Sequence, residues 1–199
     1  MDIFYHHRMD PNTPLEETMG ALATAVQSGK ALYVGLSNYD GPHLEQAAAI
    51  LSDLKVPFVI NQNRYSIFDR TVENNGLKET AARLNKGIIA FSPLAQGLLT
   101  DRYLTGIPAD SRIRTDTRFL KEAALTERRL EQIRQLNDLA AQRGQTLAQM
   151  ALSWVLRDGL VPGVLAGASR PEQVLHNIRA AQNTSFTEEE LARIDEISL

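Results

Sequence analysis

Polar side chains that could bind and orient a small molecule follow five short apolar runs of the sequence. In parallel α/β folds the loops after the carboxyl ends of strands carry the functional residues, so these sets are the candidates for chemistry. The sets are His6 and His7; Ser37-Asn38-Tyr39; Gln62-Asn63-Arg64-Tyr65; Ser92-Pro93-Leu94; and Gly167-Ala168-Ser169-Arg170. Histidine can exchange a proton, amides and hydroxyls can hydrogen-bond a planar polar group, and arginine can bind a phosphate.

The last of these sets has the most specific chemistry. Gly167 permits close approach of a ligand to the backbone, and Ser169 and Arg170 open a predicted helix whose N-terminal amides attract an anion. Arg170 would add charge-assisted hydrogen bonds to a phosphate. Gln173 and Asn177, four residues apart, share a helix face on which they could meet a purine base. The alternative is a capping box that begins at Ser169, with the two amides forming ordinary solvated surface.

The elements that must position these residues are short strands. Each is apolar and rich in β-branched or aromatic residues, as expected of strands that are covered on both faces. The predicted strands are Ile3–His7, Leu32–Leu36, Pro57–Asn61, Gly87–Phe91 and Val161–Ala166. Because helix-length amphipathic segments separate them, the pattern predicts βα units and a parallel sheet.

The predicted helices carry recognisable start signals. Thr13-Pro14-Leu15-Glu16 and the segment from Thr187 to Glu190 both have the spacing of a capping box. The other predicted helices span Leu44–Leu54, Thr71–Leu84, Glu127–Gln142, Leu147–Arg157 and Pro171–Gln182. Between the fourth strand and Glu127, the segment from Pro93 to Ala124 has glycines, prolines and basic residues but little periodicity, and loops of this length are usually functional.

Composition sets the broad class of protein. The chain has 199 residues, 43% of them hydrophobic, which favours one globular domain over residues 1–199. Its net charge of −3 is scattered along the sequence, which argues against nucleic-acid or membrane partners, and the absence of cysteine fits a reducing cytoplasm. No segment has the pattern of a signal peptide or a membrane span. We therefore expect a cytoplasmic protein, with a homo-oligomer left open.

The number of predicted strands decides between two α/β architectures. A doubly wound sheet would need a glycine-rich turn after the first strand, and His7-Arg8-Met9-Asp10-Pro11 is not one. A complete barrel of eight strands and eight helices needs about 250 residues. The sequence therefore predicts an N-terminally truncated (β/α)8 TIM barrel of about five strands, the fourth to the eighth, with two extra helices.

Four motifs together resemble those of the aldo-keto reductase superfamily. They are Gly35-Leu36-Ser37-Asn38-Tyr39, Asn61-Gln62, Phe91-Ser92-Pro93-Leu94-Ala95-Gln96-Gly97, and Gly167-Ala168-Ser169-Arg170-Pro171-Glu172-Gln173 with Asn177. They occur in the family's order over nearly the whole chain. Arg64-Tyr65-Ser66 and Gly106-Ile107-Pro108 add a similarity to the branch that holds glyceraldehyde-3-phosphate reductases and potassium channel β subunits.

The resemblance implies an NADPH-dependent reductase of small carbonyl compounds, with NADPH/NADP as cofactor and a substrate such as glyceraldehyde 3-phosphate. It assigns Ser37, Asn38 and Gln62 to the nicotinamide carboxamide and Phe91 to stacking on the nicotinamide ring. It places Ser92, Leu94 and Gln96 along the pyrophosphate, with Arg102 and Arg112 as a clasp over it. The adenosine and its 2′-phosphate would be held by Gly167, Ser169, Arg170, Gln173 and Asn177. No metal ligand is implied.

Only one residue matches the family's acid–base set. His7 aligns with the active-site histidine, which would donate a hydrogen bond to the substrate oxygen as negative charge builds there, whereas His6 should point the other way. The family's tyrosine, lysine and aspartate have no counterpart among these residues, so we expect this chain alone to be poorly active. A catalytically weak or inactive NADPH-binding protein is therefore the alternative function.

The predicted substrate pocket rests on fewer residues. Arg8, Tyr39, Asn63 and Arg64 are predicted to border a small polar pocket. Arg64 either attracts a phosphorylated aldehyde or has a structural role, and the sequence leaves both open.

Overall fold

The sheet has the predicted parallel character. In the part of the chain that it describes, residues 1–109, 111–115 and 121–199, the computed structural model contains five strands. They are β1 (Ile3–His6), β2 (Tyr33–Ser37), β3 (Phe58–Arg64), β4 (Gly87–Phe91) and β5 (Gly163–Leu165). The strands follow one another in the sheet in chain order, and β1, β2, β3 and β4 pair in parallel. The predicted parallel α/β fold is confirmed.

Helices separate the strands and continue after the fourth. They are α1 (Leu15–Gln27), α2 (Gly41–Asp53), α3 (Thr71–Asn74), α4 (Leu77–Arg83), α5 (Arg112–Thr115), α6 (Glu127–Gln142), α7 (Leu147–Leu156), α8 (Pro171–Ile178) and α9 (Glu188–Ser198). Short 3-10 turns lie at Ala95–Gly97, Asp101–Tyr103, Glu122–Ala124 and Arg179–Gln182. Among the described residues, no helix is long and apolar enough to cross a lipid bilayer.

The first of two compact units comprises Met1–Arg64, Arg70–Phe91 and Gly159–Gly163. Helices α1, α2 and α4 pack beside one another and against its strands. Side chains of a strand alternate between the two faces of a sheet. Val34 and Leu36 of β2 therefore share a face, and they are fully buried, as are Leu44 and Leu51 of α2.

The second unit comprises Tyr65–Asp69, Ser92–Asp158 and Val164–Leu199. Its core lies between α6, α7 and α9, with fully buried Ile133, Met150 and Ile194. Trp154 is also fully buried, and its ring packs against Tyr65 at a centroid distance of 5.2 Å. The unit thus has an apolar core of its own.

The strand ends differ from the predicted ones where polar residues continue a strand. β3 runs three residues beyond its predicted end at Asn61, and β2 ends at Ser37 rather than Leu36. The reason is pairing: Ser37 lies opposite Gln62, and Arg64 lies opposite Phe91, so the backbone of these polar residues is bonded into the sheet. Several candidate functional residues therefore lie on strands instead of loops.

Two predictions about the helices were wrong. The predicted helix Thr71–Leu84 is broken into α3 and α4 at Gly76, whose φ of 74° is left-handed. The capping box at Thr13 does not form, because the Thr13 hydroxyl donates to Asp10 (2.8 Å) and α1 begins at Leu15 without a side-chain cap.

The other helix predictions stand with small changes. The capping box at Thr187 is confirmed, with Glu190 as its second residue. The predicted helix Pro171–Gln182 is α8 followed by a 3-10 turn, and α7 ends one residue before its predicted end at Arg157.

Candidate functional site

Gln62 and its neighbours define one face of the sheet in the first unit. Strand alternation and register put Tyr5, Ser37, Gln62 and Phe91 on this face, because Tyr5 pairs with Gly35, Ser37 with Gln62, and Arg64 with Phe91. We call it the Gln62 face. The opposite side, which carries Asn61, is the Asn61 face.

Ser37 and Asn38 are held rigidly at the carboxyl end of β2. The main-chain amide of Asn38 and the hydroxyl of Ser37 both donate to the carbonyl oxygen of Gln62, at 3.0 and 2.8 Å. The Asn38 side-chain amide donates to the carbonyl oxygen of His7 (2.9 Å) and to the Ser37 hydroxyl (3.1 Å). Asn38 has a φ of 62°, a left-handed conformation that asparagine tolerates better than most residues. Four predicted site residues are therefore brought together.

These bonds determine which hydrogen-bond donors and acceptors remain available to a ligand. The hydroxyl hydrogen of Ser37 and both amide hydrogens of Asn38 are used within the chain. Within the described part of the chain, Asn38 Oδ1 accepts no hydrogen bond. The loop therefore offers a fixed acceptor at Asn38 more readily than a donor.

Tyr5 is a neighbour of Gln62 that the sequence prediction missed. Burial of the phenol raises the pKa of Tyr5, and the nearby Gln62 side chain opposes this with a smaller lowering effect. The Tyr5 ring lies over Gly35, where a Cβ atom would be 2.5 Å from Tyr5 Cε1. A glycine inside a strand was the signal in the sequence, since it indicates close approach by another group.

The candidate aromatic and basic residues of the first unit lie at or just after the ends of β1, β3 and β4. Phe91 is half-buried, and the Arg64 guanidinium carbon is 5.9 Å from the centroid of its ring. His7 directly follows β1 and is exposed. Arg8 is exposed as well.

Tyr39 and Asn63 do not border a polar pocket, contrary to the sequence prediction. Tyr39 is completely buried and Asn63 is 8% exposed. The Tyr39 hydroxyl hydrogen-bonds Nδ1 of His6 (2.8 Å), and burial raises the pKa of Tyr39 to about 12. The pKa of His6 is lowered, first by burial and then by the charge of His7. Two positions assigned to a ligand are thus part of the interior.

In the second unit, the segment after β4 has an unusual backbone. Ser92, Ala95 and Gln96 all have positive φ, at 53°, 48° and 61°, although none is glycine. The Gln96 side chain donates to the Ser92 hydroxyl (2.8 Å), which links the two ends of this turn. The carbonyl of Leu94 accepts from the amides of Gly97 and Leu99. Strain of this kind clusters at binding sites.

The two arginines of the long loop are described to different extents. Arg102 lies in a 3-10 turn, and its amide donates to the hydroxyl of Thr100 at 3.3 Å. Arg112 begins α5, but its side chain lies outside the described residues.

At the start of α8, the structure tests the capping-box alternative. Ser169 donates to Gln173 Oε1 from both its amide (2.8 Å) and its hydroxyl (3.2 Å), whereas Arg170, the N-cap residue, makes no side-chain cap. The capping box from Ser169 to Glu172 is therefore wrong. Gln173 turns back toward Ser169, while Gly167 and Arg170 are exposed and Asn177 is half-buried.

A family model decides the assignment. The model of the Aldo/keto reductase family matches residues 1–199. The chain belongs to the aldo/keto reductase family. The resemblance read from the four motifs is confirmed.

The relatives of this aldo/keto reductase chain fall on the expected branch. It is 51% identical over 199 residues to an L-glyceraldehyde 3-phosphate reductase of Escherichia coli (strain K12), an alignment that covers 98% of this chain and 58% of the relative. It is 35% identical over 203 residues to a putative voltage-gated potassium channel subunit beta of Schizosaccharomyces pombe, with 99% and 59% covered. The chain thus spans less than two thirds of the length of these curated relatives.

A solved structure gives the same family. A thermostable aldo-keto reductase in complex with the inhibitor epalrestat is 30% identical to this chain, with a TM-score of 0.72 over 98% of this chain and 59% of that one.

Among the residues that the structure describes, no group of three His, Cys, Asp or Glu side chains could hold a metal ion.

Proposed function

We propose that this chain carries the NADP(H)-binding end of an aldo-keto reductase that converts a small aldehyde, such as glyceraldehyde 3-phosphate, to an alcohol. Its five strands would be the fourth to eighth strands of a (β/α)8 barrel. The observation that carries the proposal is the hydrogen-bonded group of Ser37, Asn38 and Gln62, whose remaining capacity suits a carboxamide.

A nicotinamide carboxamide presents an NH₂ donor and a carbonyl acceptor on one plane. Asn38 Oδ1 is available to accept from the NH₂ group, and the Gln62 side chain has both a donor and an acceptor. Phe91 on the same face offers a flat apolar surface for the ring. When bound, NADPH supplies the hydride, and these residues orient it.

The groups of the second unit suit the phosphates. The strained turn that contains Ser92, Leu94 and Gln96 is proposed for the pyrophosphate, with Arg102 and Arg112 beside it. For the 2′-phosphate we propose the exposed Arg170 together with Gly167 and Ser169, and for the adenine we propose Gln173 and Asn177. Because Gln173 Oε1 already accepts from Ser169, its NH₂ group is the part left to donate to a purine nitrogen.

His7 is proposed to hydrogen-bond the carbonyl oxygen of the substrate. Its main chain is fixed by the bond from Asn38 to its carbonyl, while its ring is exposed. This arrangement ties the position of the catalytic residue to that of the carboxamide residue. Loss of a general acid costs about 10² to 10⁴ in rate, so with His7 alone we expect slow turnover.

Binding without turnover is the second candidate function. The similarity to a putative channel subunit and the single acid–base match at His7 favour it. The two functions predict the same NADPH binding but differ in aldehyde reduction, so both are measured on one preparation.

The experiment uses the purified 199-residue chain. NADPH and NADH are titrated by calorimetry, and oxidation of NADPH is then followed at 340 nm with glyceraldehyde 3-phosphate and with glyceraldehyde. We expect saturable NADPH binding and slow oxidation that is faster with the phosphorylated aldehyde. Binding with no oxidation selects the second function, and the absence of saturable NADPH binding rejects both.

A further inference from the structure

The carbonyl oxygen of Tyr39 is held by two side chains from a neighbouring strand. Asn61 Nδ2 and Asn63 Nδ2 both donate to it, at 3.3 and 3.1 Å. The two asparagines are two residues apart on β3, so both lie on the Asn61 face. Asn61 is fully buried and Asn63 is 8% exposed. Neither was predicted to bind the cofactor, and both point away from the Gln62 face.

The orientation of the two amides is fixed by their mutual contact. Asn61 Nδ2 also donates to Asn63 Oδ1 at 2.8 Å. Turning the Asn61 amide over would set its oxygen against two other oxygens, those of Tyr39 and Asn63. In the orientation present, Asn61 Oδ1 is buried without a hydrogen-bond partner among the described residues, which is unfavourable. The pair therefore retains its two donors at Tyr39 at the expense of an unsatisfied acceptor.

One segment of β3 thus holds one loop in two ways, through the main-chain carbonyl of Gln62 and through the side chains of Asn61 and Asn63. The carbonyl of Gln62 accepts from the amide of Asn38 and the hydroxyl of Ser37. The residues on either side of Gln62 bind the carbonyl of Tyr39. These bonds lie on both sides of Asn38, whose φ of 62° has to be maintained for its side chain to reach His7 and Ser37.

We propose that Asn61 and Asn63 are positioning residues for the cofactor site, which hold the Tyr39 carbonyl and thereby keep Asn38 in its left-handed conformation with Oδ1 presented to the carboxamide. This inference rests on the proposed NADP(H)-binding function. It predicts that the pair affects recognition of the nicotinamide end of the cofactor and leaves recognition of the phosphoadenosine end unchanged.

The test compares two ligands on the 199-residue chain. NADPH contains both ends of the cofactor, whereas adenosine 2′,5′-bisphosphate has no nicotinamide. For Asn63→Leu, which removes one donor at similar volume, we expect NADPH to bind about tenfold more weakly. The affinity for adenosine 2′,5′-bisphosphate should stay within about twofold of wild type. Asn61→Leu should give the same split.

The control is Leu51→Ala, which removes a fully buried side chain of α2 and destabilises the same unit. Unchanged NADPH affinity in Asn63→Leu, or an equal loss with Leu51→Ala or with the bisphosphate, overturns the proposal, because the asparagines would then only support the fold. If neither asparagine variant folds, the pair is a folding element and the proposal is likewise overturned. If wild type binds the bisphosphate but not NADPH, the proposed function itself fails first.

Discussion

The loop Ser37–Tyr39 and the start of α8 are the two best-defined candidate binding regions, and they are built in opposite ways. In the loop, donors and acceptors are bonded to the main chain of Gln62, His7 and the loop itself. At the start of α8, the link is between Ser169 and Gln173, and Arg170 is exposed. Under the proposed function, the first region is preorganised for a planar polar group. The second offers charge that a ligand must order.

The largest effect is expected from breaking the rigid region at Asn38. Asn38→Val removes two donated hydrogen bonds and places a β-branched residue at positive φ. We expect a loss of about 2–4 kcal/mol in the free energy of unfolding and about 100-fold in NADPH affinity. Urea unfolding and calorimetry measure the two quantities.

Asn38→Gly separates the two causes. Glycine accepts the left-handed conformation but has no amide, so the unfolding free energy should recover in part while NADPH affinity remains low. Recovery of both would mean that the Asn38 side chain contributes nothing to the site.

A smaller and more selective effect is expected from the exposed region. Arg170→Gln removes a charged partner of the proposed 2′-phosphate, and we expect about a tenfold loss of NADPH affinity with little change for NADH. Because the side chain is exposed, stability should change by less than about 0.5 kcal/mol. Calorimetry with both cofactors gives the ratio.

Arg179→Gln is the matched control, since Arg179 is also exposed and follows α8 directly. It should leave both affinities unchanged. Equal losses in the two variants would show that only general positive charge matters, and the assignment of Arg170 would fall.

The smallest effect is expected from protonation of His6, whose ring hydrogen-bonds the buried Tyr39. The folded pKa of His6 lies below its ordinary value of 6.5, so the folded protein binds this proton less readily than the unfolded chain. Stability is therefore retained above pH 6.5 and falls as pH drops through 6.5 toward the folded pKa. We expect the urea midpoint to be lower at pH 5.5 than at pH 7.5.

His6→Gln should reduce this difference while keeping an acceptor for the Tyr39 hydroxyl. The carboxyl groups with lowered pKa, such as Asp40 and Glu190, titrate well below this window and do not confuse the result. A variant with the same pH dependence as wild type would assign the effect to another group.

The sequence predicted the elements better than the roles of individual residues. Apolar runs located the five strands of the described residues, because burial requires them. The extension of β3 to Arg64 was missed, since it depends on pairing with β4 rather than on local composition. The break at Gly76 was also missed, although its cause, a glycine with left-handed φ, is local.

The candidate site shows the same division. The group of Ser37, Asn38, Gln62 and His7 was predicted from motifs, and the structure brings these residues together. Tyr39 and Asn63 were assigned to a pocket because polar residues near a strand end usually face a ligand. Asn63 lies on the buried Asn61 face because strand alternation continues through the extended end of β3, and Tyr39 is buried beside His6 of β1. Both depend on contacts between distant segments.

Gly41 and Gly76 meet between α2 and α4, and each has a different reason for being glycine. A Cβ atom at Gly41 would lie 2.5 Å from the carbonyl oxygen of Gly76. A Cβ atom at Gly76 would lie 4.0 Å from its nearest neighbour, the Cα atom of Gly41, but the φ of Gly76 is 74°. In a mutagenesis library of this chain, position 41 is restricted by volume, and we expect every residue larger than glycine to be rejected there. Position 76 is restricted by a dihedral angle and should accept asparagine at modest cost.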